Sequence, residues 1–385
     1  MSLQSQESAA ALANAQSYFE REIAFADAVV EAEGEADGHA RTLLEAALRA
    51  AAESVGGGLL SLECVSASRL ACQTVFYVTG FLTEDEEGAE SSARVSALLN
   101  ALPLDRAAVN FIRVTWASGS RKRAQEGAAA GLRGGLIKAI QFSPLLWAGG
   151  KLIQHFAGAA ASPAPEAAAP PPGFLDEINF HQKHREARAV GAALASVLQR
   201  LAADPSAALH RVTLMGHSLG ARVVLHALAN LPPPSAAPAA AAGGAPGAAA
   251  PAPGLQVAAA ALFAAAQAGP EDKGEVWAAA LSHLPASGAL YNCFHAHDPA
   301  LTAMYTAGRV LGVDGLALRA PAGMRPVALL PAAAASAGCA DKLKNIDATP
   351  LFAGALEHSF RDVYAKLLAG EHLPCLFAPP APASV

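Results

Sequence analysis

The feature that most constrains this 385-residue chain is an apolar run, a serine between two glycines, and a second apolar run. Val212 to Met215 has the character of a strand, and Ala221 to Leu228 has helical spacing. Between them lies Gly216-His217-Ser218-Leu219-Gly220, the pattern that lifts a serine hydroxyl clear of a sheet on a tight turn. Side chains at Gly216 and Gly220 would collide with such a turn. Taken alone, the pentapeptide also fits an ordinary turn with a capping serine.

Strand-like and helix-like runs alternate on both sides of this turn. The strand-like runs are Val75 to Val78, Val109 to Trp116, Leu255 to Leu262 and Gly288 to His295, and the helix-like runs include Ala93 to Leu102, Ile178 to Ala203 and Phe360 to Leu368. Strands buried on both faces read as continuous apolar runs. The pattern therefore predicts an α/β protein of the α/β-hydrolase type, with a mostly parallel central sheet flanked by helices.

Composition shifts along the chain predict its organisation. We expect residues 1–70 to form an N-terminal helical extension, residues 71–375 the α/β-hydrolase domain, and residues 376–385 a tail. Within the domain, residues 117–173 fit no regular core element and are interpreted as a helical insertion or lid. Residues 231–254 are rich in Pro, Ala and Gly and carry no charge, which is typical of a disordered surface loop.

The apolar segment 135–156 within the insertion raises the question of a membrane. Its uncharged run lies between Lys138 and Lys151 and is interrupted by Pro144, so it cannot span a bilayer as one helix. One interpretation is a helical hairpin packed on the core. The other is a lid or interfacial anchor that would contact a membrane peripherally through Phe142, Leu145, Leu146 and Trp147.

Charge and cysteine content narrow the class of protein. Only 16% of the residues are charged and the formal net charge is −6, so nucleic acids are not expected partners. The five cysteines are scattered, and no metal-binding, phosphate-binding or dinucleotide motif is found, so we expect no cofactor and no metal. The start of the chain has no secretory pattern, which favours a cytoplasmic protein, with membrane association as an option. The oligomeric state stays open.

A serine nucleophile requires a base and an acid, and in α/β-hydrolases these follow it in the order acid, then histidine. Asp298 comes directly after the strand-like run that ends at His295, and His358 lies in a turn before the last helix-like run. We therefore predict a triad of Ser218, Asp298 and His358. The alternatives left open for the acid are Asp272, Asp314 and Asp347. The histidines His283, His295, His297 and His372 are less suitable by position.

The oxyanion of the reaction needs two backbone N–H donors. Leu219, the residue after the serine, supplies the first. The second is predicted in the loop after the first strand, where Gly80 permits a bend and Phe81 is preferred over Leu82. The alternative is that Gly80 merely serves a tight turn.

Four segments together resemble a known family. They are Val78 to Glu84, the elbow from Gly216 to Val223, Asn292 to Asp298 with Met304-Tyr305 after it, and Glu357-His358-Ser359. These segments are similar to the α/β-hydrolases of the domain of unknown function 726 family. The resemblance implies a serine hydrolase fold with Ser218, Asp298 and His358 in the triad, and an association with membranes. The chain departs from the family where Pro299 stands after the acid, since an aromatic residue is usual there.

The motifs together predict a serine hydrolase that cleaves carboxylic esters. Lipid esters are the favoured substrates because of the apolar insertion and because His217 and Leu219 flank the serine. Two other classes remain: a thioesterase or peptidase with the same fold, and a non-catalytic interaction protein built on it.

Overall fold

The structure is a computed structural model of the chain, and it describes only part of the sequence. The described residues are 35–55, 59–68, 71–81, 97–100, 109–118, 180–204, 207, 209, 211–232, 255, 257–310, 320–329, 331, 340–352, 360, 363–369, 373 and 376.

Seven strands and six α-helices are described. The strands are β1 (Leu60–Ser66), β2 (Gln73–Val78), β3 (Val109–Trp116), β4 (Val212–His217), β5 (Val257–Phe263), β6 (Ala289–Phe294) and β7 (Leu343–Asp347). The helices are α1 (Glu35–Glu53), α2 (Phe180–Ala203), α3 (Leu219–Asn230), α4 (Pro270–Ser282), α5 (Pro299–Val310) and α6 (Tyr364–Ala369). None of these helices is both long and apolar enough to cross a lipid bilayer.

The strands form one sheet in the order β1-β3-β2-β4-β5-β6-β7. β1 pairs antiparallel with β3 at one edge, and the other pairs are parallel. Every residue of β2, β4, β5 and β6 is buried, as expected for parallel strands covered on both faces. The prediction of an α/β protein with a mostly parallel central sheet flanked by helices is confirmed.

Helix α3, which follows the elbow, packs between α2 and α4 and against β4. At Gly191 of α2, an added Cβ would lie 2.5 Å from the Cβ of His226 in α3. Only a residue without a side chain fits this crossing. The middle of α3 is therefore packed tightly on α2, and the elbow lies at the N-terminal end of the same helix.

The order of the strands reverses at the neighbouring pair β2 and β4. The chain leaves β2 for β3 on one side, later enters β4 on the other side, and continues outward through β5, β6 and β7. The loops that follow β2 and β4 thus leave the sheet in opposite directions. Parallel sheets bind ligands at such a switch point, outside the carboxyl ends of the strands. Residues 79–81 and Ser218 lie at this point.

The expected elements agree with the structure near the elbow and differ at the sheet edges. The prediction that residues 1–70 are a helical extension is wrong for Leu60–Ser66, which form edge strand β1 because the exposed edge of β3 offers them hydrogen bonds. Within residues 117–173 only 117 and 118 are described, and within 231–254 only 231 and 232. The interpretations of the insertion, including segment 135–156, of the loop and of the tail stay predictions.

Candidate functional site

Ser218 stands at the junction of β4 and α3 in a backbone conformation that non-glycine residues rarely adopt. Its φ is 55° and its ψ is −118°. Such a residue costs of order 1–3 kcal/mol and persists only where its surroundings hold it. Here the N–H of Ser218 donates to the carbonyl of Phe263 at 2.9 Å, and its own carbonyl accepts from the N–H of Ala266 at 3.1 Å. Both bonds connect the elbow to the end of β5.

The two glycines of the elbow are required by close packing. A Cβ on Gly216 would lie 2.5 Å from the carbonyl oxygen of Gly220. A Cβ on Gly220 would meet the carbonyl oxygens of Val78 and Thr79 at the end of β2. The collision expected from the sequence is therefore present, and the end of β2 contributes to it.

The loop after β2 faces Ser218. A Cβ on Gly80 would lie 3.1 Å from the Cβ of Ser218 and 3.1 Å from the carbonyl oxygen of His217. Thr79 anchors the loop, because its N–H donates to Val114 at 3.0 Å and its carbonyl accepts from the indole of Trp116 at 3.1 Å. Gly80 thus has a close neighbour that a simple tight turn would not require. Phe81 follows and is partly buried, and Leu82 lies outside the described residues.

Asp298 lies beyond the end of β6, two strands away from the elbow, and is fully buried. Its Oδ1 accepts from the N–H of Leu301 at 2.9 Å, which is an N-cap bond for α5. Pro299 is the first residue of that helix, where its missing N–H costs nothing. The proline after the acid therefore begins a helix and fixes the direction of the carboxylate.

The other acidic candidates have different surroundings. Asp272, in the first turn of α4, is exposed. Asp347, at the end of β7, is exposed and accepts from the N–H of Thr349 at 2.9 Å. Asp314 lies outside the described residues. Among the described candidates, Asp298 alone combines burial with a place at the carboxyl edge of the sheet.

His358 lies outside the described residues, and so does His372. The described residues nearest to His358 in the chain are Phe352 and Phe360. The ring of Phe352 stacks on His295 with centroids 4.2 Å apart, and the ring of Phe360 lies 6.3 Å from that of His217. Phe352 therefore lies beside the loop that carries Asp298, and Phe360 lies beside the residue that precedes Ser218.

The remaining histidines occupy less suitable places. His297 is exposed, and His295 is buried against Phe352. His283 comes before β6, at the opposite edge of the sheet, and burial lowers its pKa below the ordinary value.

A cluster of polar groups beside the elbow, buried except for the partly buried Arg222, was not assigned from the sequence. Arg222, one turn into α3, donates from Nε to the carbonyl of His184 at 2.7 Å and from a terminal nitrogen to Oε1 of Gln267. Burial lowers the pKa of Arg222 to about 10, with a smaller opposing effect from Tyr305. A signal existed in the sequence, because an arginine interrupts the otherwise apolar first turns of the helix after the elbow.

Two neighbours of Arg222 are also buried and titratable. Burial raises the pKa of the Tyr305 hydroxyl above its ordinary value. Burial, together with the charges of Arg222 and Arg188, lowers the pKa of His226 to about 3. His226 is therefore neutral at physiological pH. In the described ranges no three His, Cys, Asp or Glu side chains converge in a way that could hold a metal ion.

Comparisons with known proteins add little to this geometry. No protein-family model matches the chain, and no curated protein matches it. A solved structure described as m3DLH is similar over 73% of this chain and 95% of that chain, with 14% sequence identity and a TM-score of 0.27. Similarity at that level carries no inference about fold or activity.

Proposed function

We propose that this protein is a serine hydrolase of the α/β-hydrolase fold that cleaves carboxylic esters. The observation that carries the proposal is the strained backbone of Ser218, with Gly80 packed against it. Strain of this kind accumulates at functional sites, where the surrounding structure maintains it. A turn that only connected a strand to a helix would have no need of it.

The proposed reaction begins when Oγ of Ser218 attacks the acyl carbon of the ester. His358 takes the hydroxyl proton and then gives it to the departing alcohol, which leaves an acyl group on Ser218. Water attacks the acyl-enzyme with His358 again as base, and the carboxylic acid departs as the serine regains its proton. Asp298 holds the imidazole in the required tautomer.

The place of Phe360 supports His358 as the base. Phe360 comes two residues after His358, and its ring lies beside that of His217. Two residues extend at most about 7 Å. The base of the proposed triad is thus connected by a short length of chain to the immediate surroundings of Ser218.

The backbone N–H groups of Leu219 and Phe81 are the proposed oxyanion donors, with Leu82 as the alternative to Phe81. Leu219 is the first residue of α3, so its N–H has no partner within the helix. Phe81 directly follows Gly80, which packs on Ser218. Two amides on opposite sides of the serine are the arrangement that stabilises a tetrahedral intermediate.

Membership of the domain of unknown function 726 family and a preference for lipid esters belong to the same proposal. The family rests on the motif order, and the lipid preference rests on the composition of segment 135–156 and on the residues beside Ser218. A thioesterase or peptidase would use the same residues, so only substrate comparison separates these classes. A non-catalytic interaction protein would not use these residues for catalysis.

Labelling with a fluorophosphonate probe tests the proposal. We expect the wild-type protein to be labelled and the Ser218→Ala variant to be unlabelled. Ser196→Ala is a matched control, because Ser196 is an exposed serine on α2 and its loss should not affect labelling. Absence of labelling in the wild-type protein would contradict the hydrolase proposal and favour an interaction protein.

A further inference from the structure

A group of hydrogen-bond donors beside the elbow has no acidic partner in the part of the chain that the structure describes. Arg222 belongs to α3, Gln267 to the loop after β5, and Tyr305 to α5. Arg222 donates to Gln267 and to the carbonyl of His184, and the ring of His184 lies 6.3 Å from that of Tyr305. Within the described residues, no aspartate or glutamate forms an ion pair with Arg222. Arg222 is partly buried, and charges that are removed from water in proteins are normally paired, because their desolvation is costly.

Two of these groups also have hydrogen-bonding atoms without a partner. Nε2 of Gln267 and the hydroxyl of Tyr305 make no hydrogen bond, although each residue is only 1% exposed. The amide of Gln267 is oriented by its Oε1, which accepts from Arg222. Its Nε2 donor therefore lies close to the guanidinium. Orphaned buried donors are rare in native proteins and call for an explanation.

The same group is connected to the proposed reaction centre. The ring of Phe81, in the oxyanion loop, lies 5.7 Å edge-on from that of Phe180, which in turn lies 6.2 Å from the ring of Tyr305. On the other side, Ala266 donates to the carbonyl of Ser218, and Gln267 is the next residue. Gln267 therefore lies next to the elbow, and Tyr305 is connected through Phe180 to the proposed oxyanion loop.

From these observations we propose that Arg222, Gln267 and Tyr305 form a subsite for an acidic group of the substrate, a carboxylate or a phosphate. The substrate class is then an ester that carries a negative charge on its acyl or alcohol part. The part of this inference that names an ester as the substrate rests on the proposed function. An oxyanion supplies several acceptor lone pairs, which is what a guanidinium, an amide N–H and a hydroxyl require together.

Neutral ligands explain the group less well. A neutral carbonyl or a water molecule would satisfy individual donors but would leave the guanidinium charge uncompensated. Arg188 on α2 adds positive charge in the same region, since its charge acts on both Arg222 and His226. The local potential therefore favours an anion.

Kinetics with two matched esters test whether the substrate is an ester that carries a negative charge. The 4-nitrophenyl ester of pentanoate and the mono-4-nitrophenyl ester of glutarate differ only by a carboxylate in place of a methyl group. We expect the wild-type protein to prefer the glutarate ester in kcat/KM by about tenfold or more, as expected for a charge-assisted hydrogen bond. Tyr305→Phe and Arg222→Met should reduce that preference toward unity.

Tyr305→Phe is the sharper variant, because the hydroxyl it removes makes no hydrogen bond in the structure. Its loss should not impair folding. Tyr77→Phe is the matched control, since the Tyr77 hydroxyl is also buried but is bonded to that of Tyr364 at 3.1 Å. Arg200→Met, at the far end of α2, controls for the loss of one positive charge.

Binding of inorganic phosphate to the Ser218→Ala variant, measured by calorimetry, separates the subsite from the reaction. Phosphate binding that weakens about tenfold with Tyr305→Phe supports the subsite even if no ester is cleaved, in which case the hydrolase proposal alone fails. Hydrolysis of both esters at equal kcat/KM, with a ratio that neither variant changes, would overturn the subsite and leave the hydrolase intact. Phosphate binding that is equally strong in Tyr305→Phe would also overturn it.

Discussion

Two arginines at the carboxyl edge of the sheet differ in how their charges are balanced. Arg325 forms an ion pair with Glu271 and donates to the carbonyl of Ala320 at 2.8 Å. Arg222 donates to a carbonyl and to an amide oxygen, but within the described residues it has no acidic partner. Burial lowers the pKa of both arginines, so both are partly removed from water. The two environments differ in whether a carboxylate balances the positive charge.

The contrast extends to the groups around each arginine. Beside Arg325, the side chain of Asn345 exchanges two hydrogen bonds with the backbone of Val327, at 2.9 and 2.8 Å. Beside Arg222, Gln267 and Tyr305 retain unused donors. The bonds of Arg325 and Asn345 hold a loop in place, although Oδ1 of the neighbouring Asn292 makes no hydrogen bond. The region with unpaired donors lies near the strained serine, and there we propose the subsite.

The largest expected effect comes from Asp298, which caps α5 and is also the proposed acid of the triad. Asp298→Asn keeps an oxygen that can cap α5, but it cannot hold the imidazole in the required tautomer. We expect kcat for ester hydrolysis to fall about 10⁴-fold, with little change in thermal stability.

Asp347→Asn is the control for this substitution, because Asp347 also accepts a backbone N–H after a strand but is exposed. Its turnover should be close to that of the wild-type protein. If Asp298→Asn retained full activity, the role of Asp298 would be limited to the cap.

The next effect concerns the loop that packs on the elbow. Gly80→Ala would press a methyl group to within 3.1 Å of Ser218 and would displace the proposed oxyanion donor by a few tenths of an ångström. We expect kcat to fall about 10- to 100-fold, because catalysis depends on such placement. Gly38→Ala in α1, where an added Cβ meets nothing within 4 Å, should leave kcat unchanged. If Gly80→Ala and Gly38→Ala had equal kcat values, the proposed role of Gly80 in the site would be contradicted.

The comparison of the two arginines is tested directly by urea unfolding. Glu271→Gln leaves Arg325 without its counter-charge, and we expect a loss of about 2 kcal/mol in the free energy of unfolding. Arg222→Met removes a charge that has no acidic partner among the described residues but leaves Oε1 of Gln267 without its donor, so it should cost about 1 kcal/mol, less than Glu271→Gln. A larger loss for Arg222→Met would show that Arg222 acts mainly as a structural clamp.

The smallest expected effect is a pH dependence of stability. The pKa of His226 is about 3 in the folded protein and near 6.5 when unfolded, so the unfolded state binds the proton more readily. Stability from this group is complete above pH 6.5 and declines as the pH falls toward 3, by about 1 kcal/mol at pH 5.5.

His226→Gln should flatten this slope in pH-dependent denaturation, and His39→Gln on the exposed face of α1 should preserve it. An unchanged slope in His226→Gln would contradict the assignment of this titration to His226.

Local patterns predicted the central strands well. The predicted strand Val109–Trp116 has the same two ends in the structure, and the runs that became β2, β4, β5 and β6 were recognised because each is mostly apolar. The edge strands were missed for the opposite reason. Leu343–Asp347 contains mostly polar or charged residues, and it becomes β7 only because the edge of β6 is available for pairing.

The candidate site was predicted in part. Ser218, Gly216 and Gly220 were identified because the steric demands of the turn act on adjacent residues. The structure then placed Gly80 against Ser218. It also showed that, of the described acidic candidates, Asp298 is the buried one. The roles of Asp298, His358, Leu219 and Phe81 in catalysis stay predictions. Arg222 was present in the elbow motif, but its burial and its missing counter-charge depend on α2, on the loop after β5 and on α5.

The sequence by itself determined the strand-turn-helix unit of the elbow and the parallel character of the sheet. Both follow from short-range effects, namely the absence of a Cβ on two glycines and the apolar runs of buried strands. Only the tertiary structure decided which residues lie beside Ser218. Gly80 and Gln267 are far from it in the chain, and their approach depends on the order in which β2, β4 and β5 pair. Long-range pairing of this kind leaves no signature in a local pattern of residues.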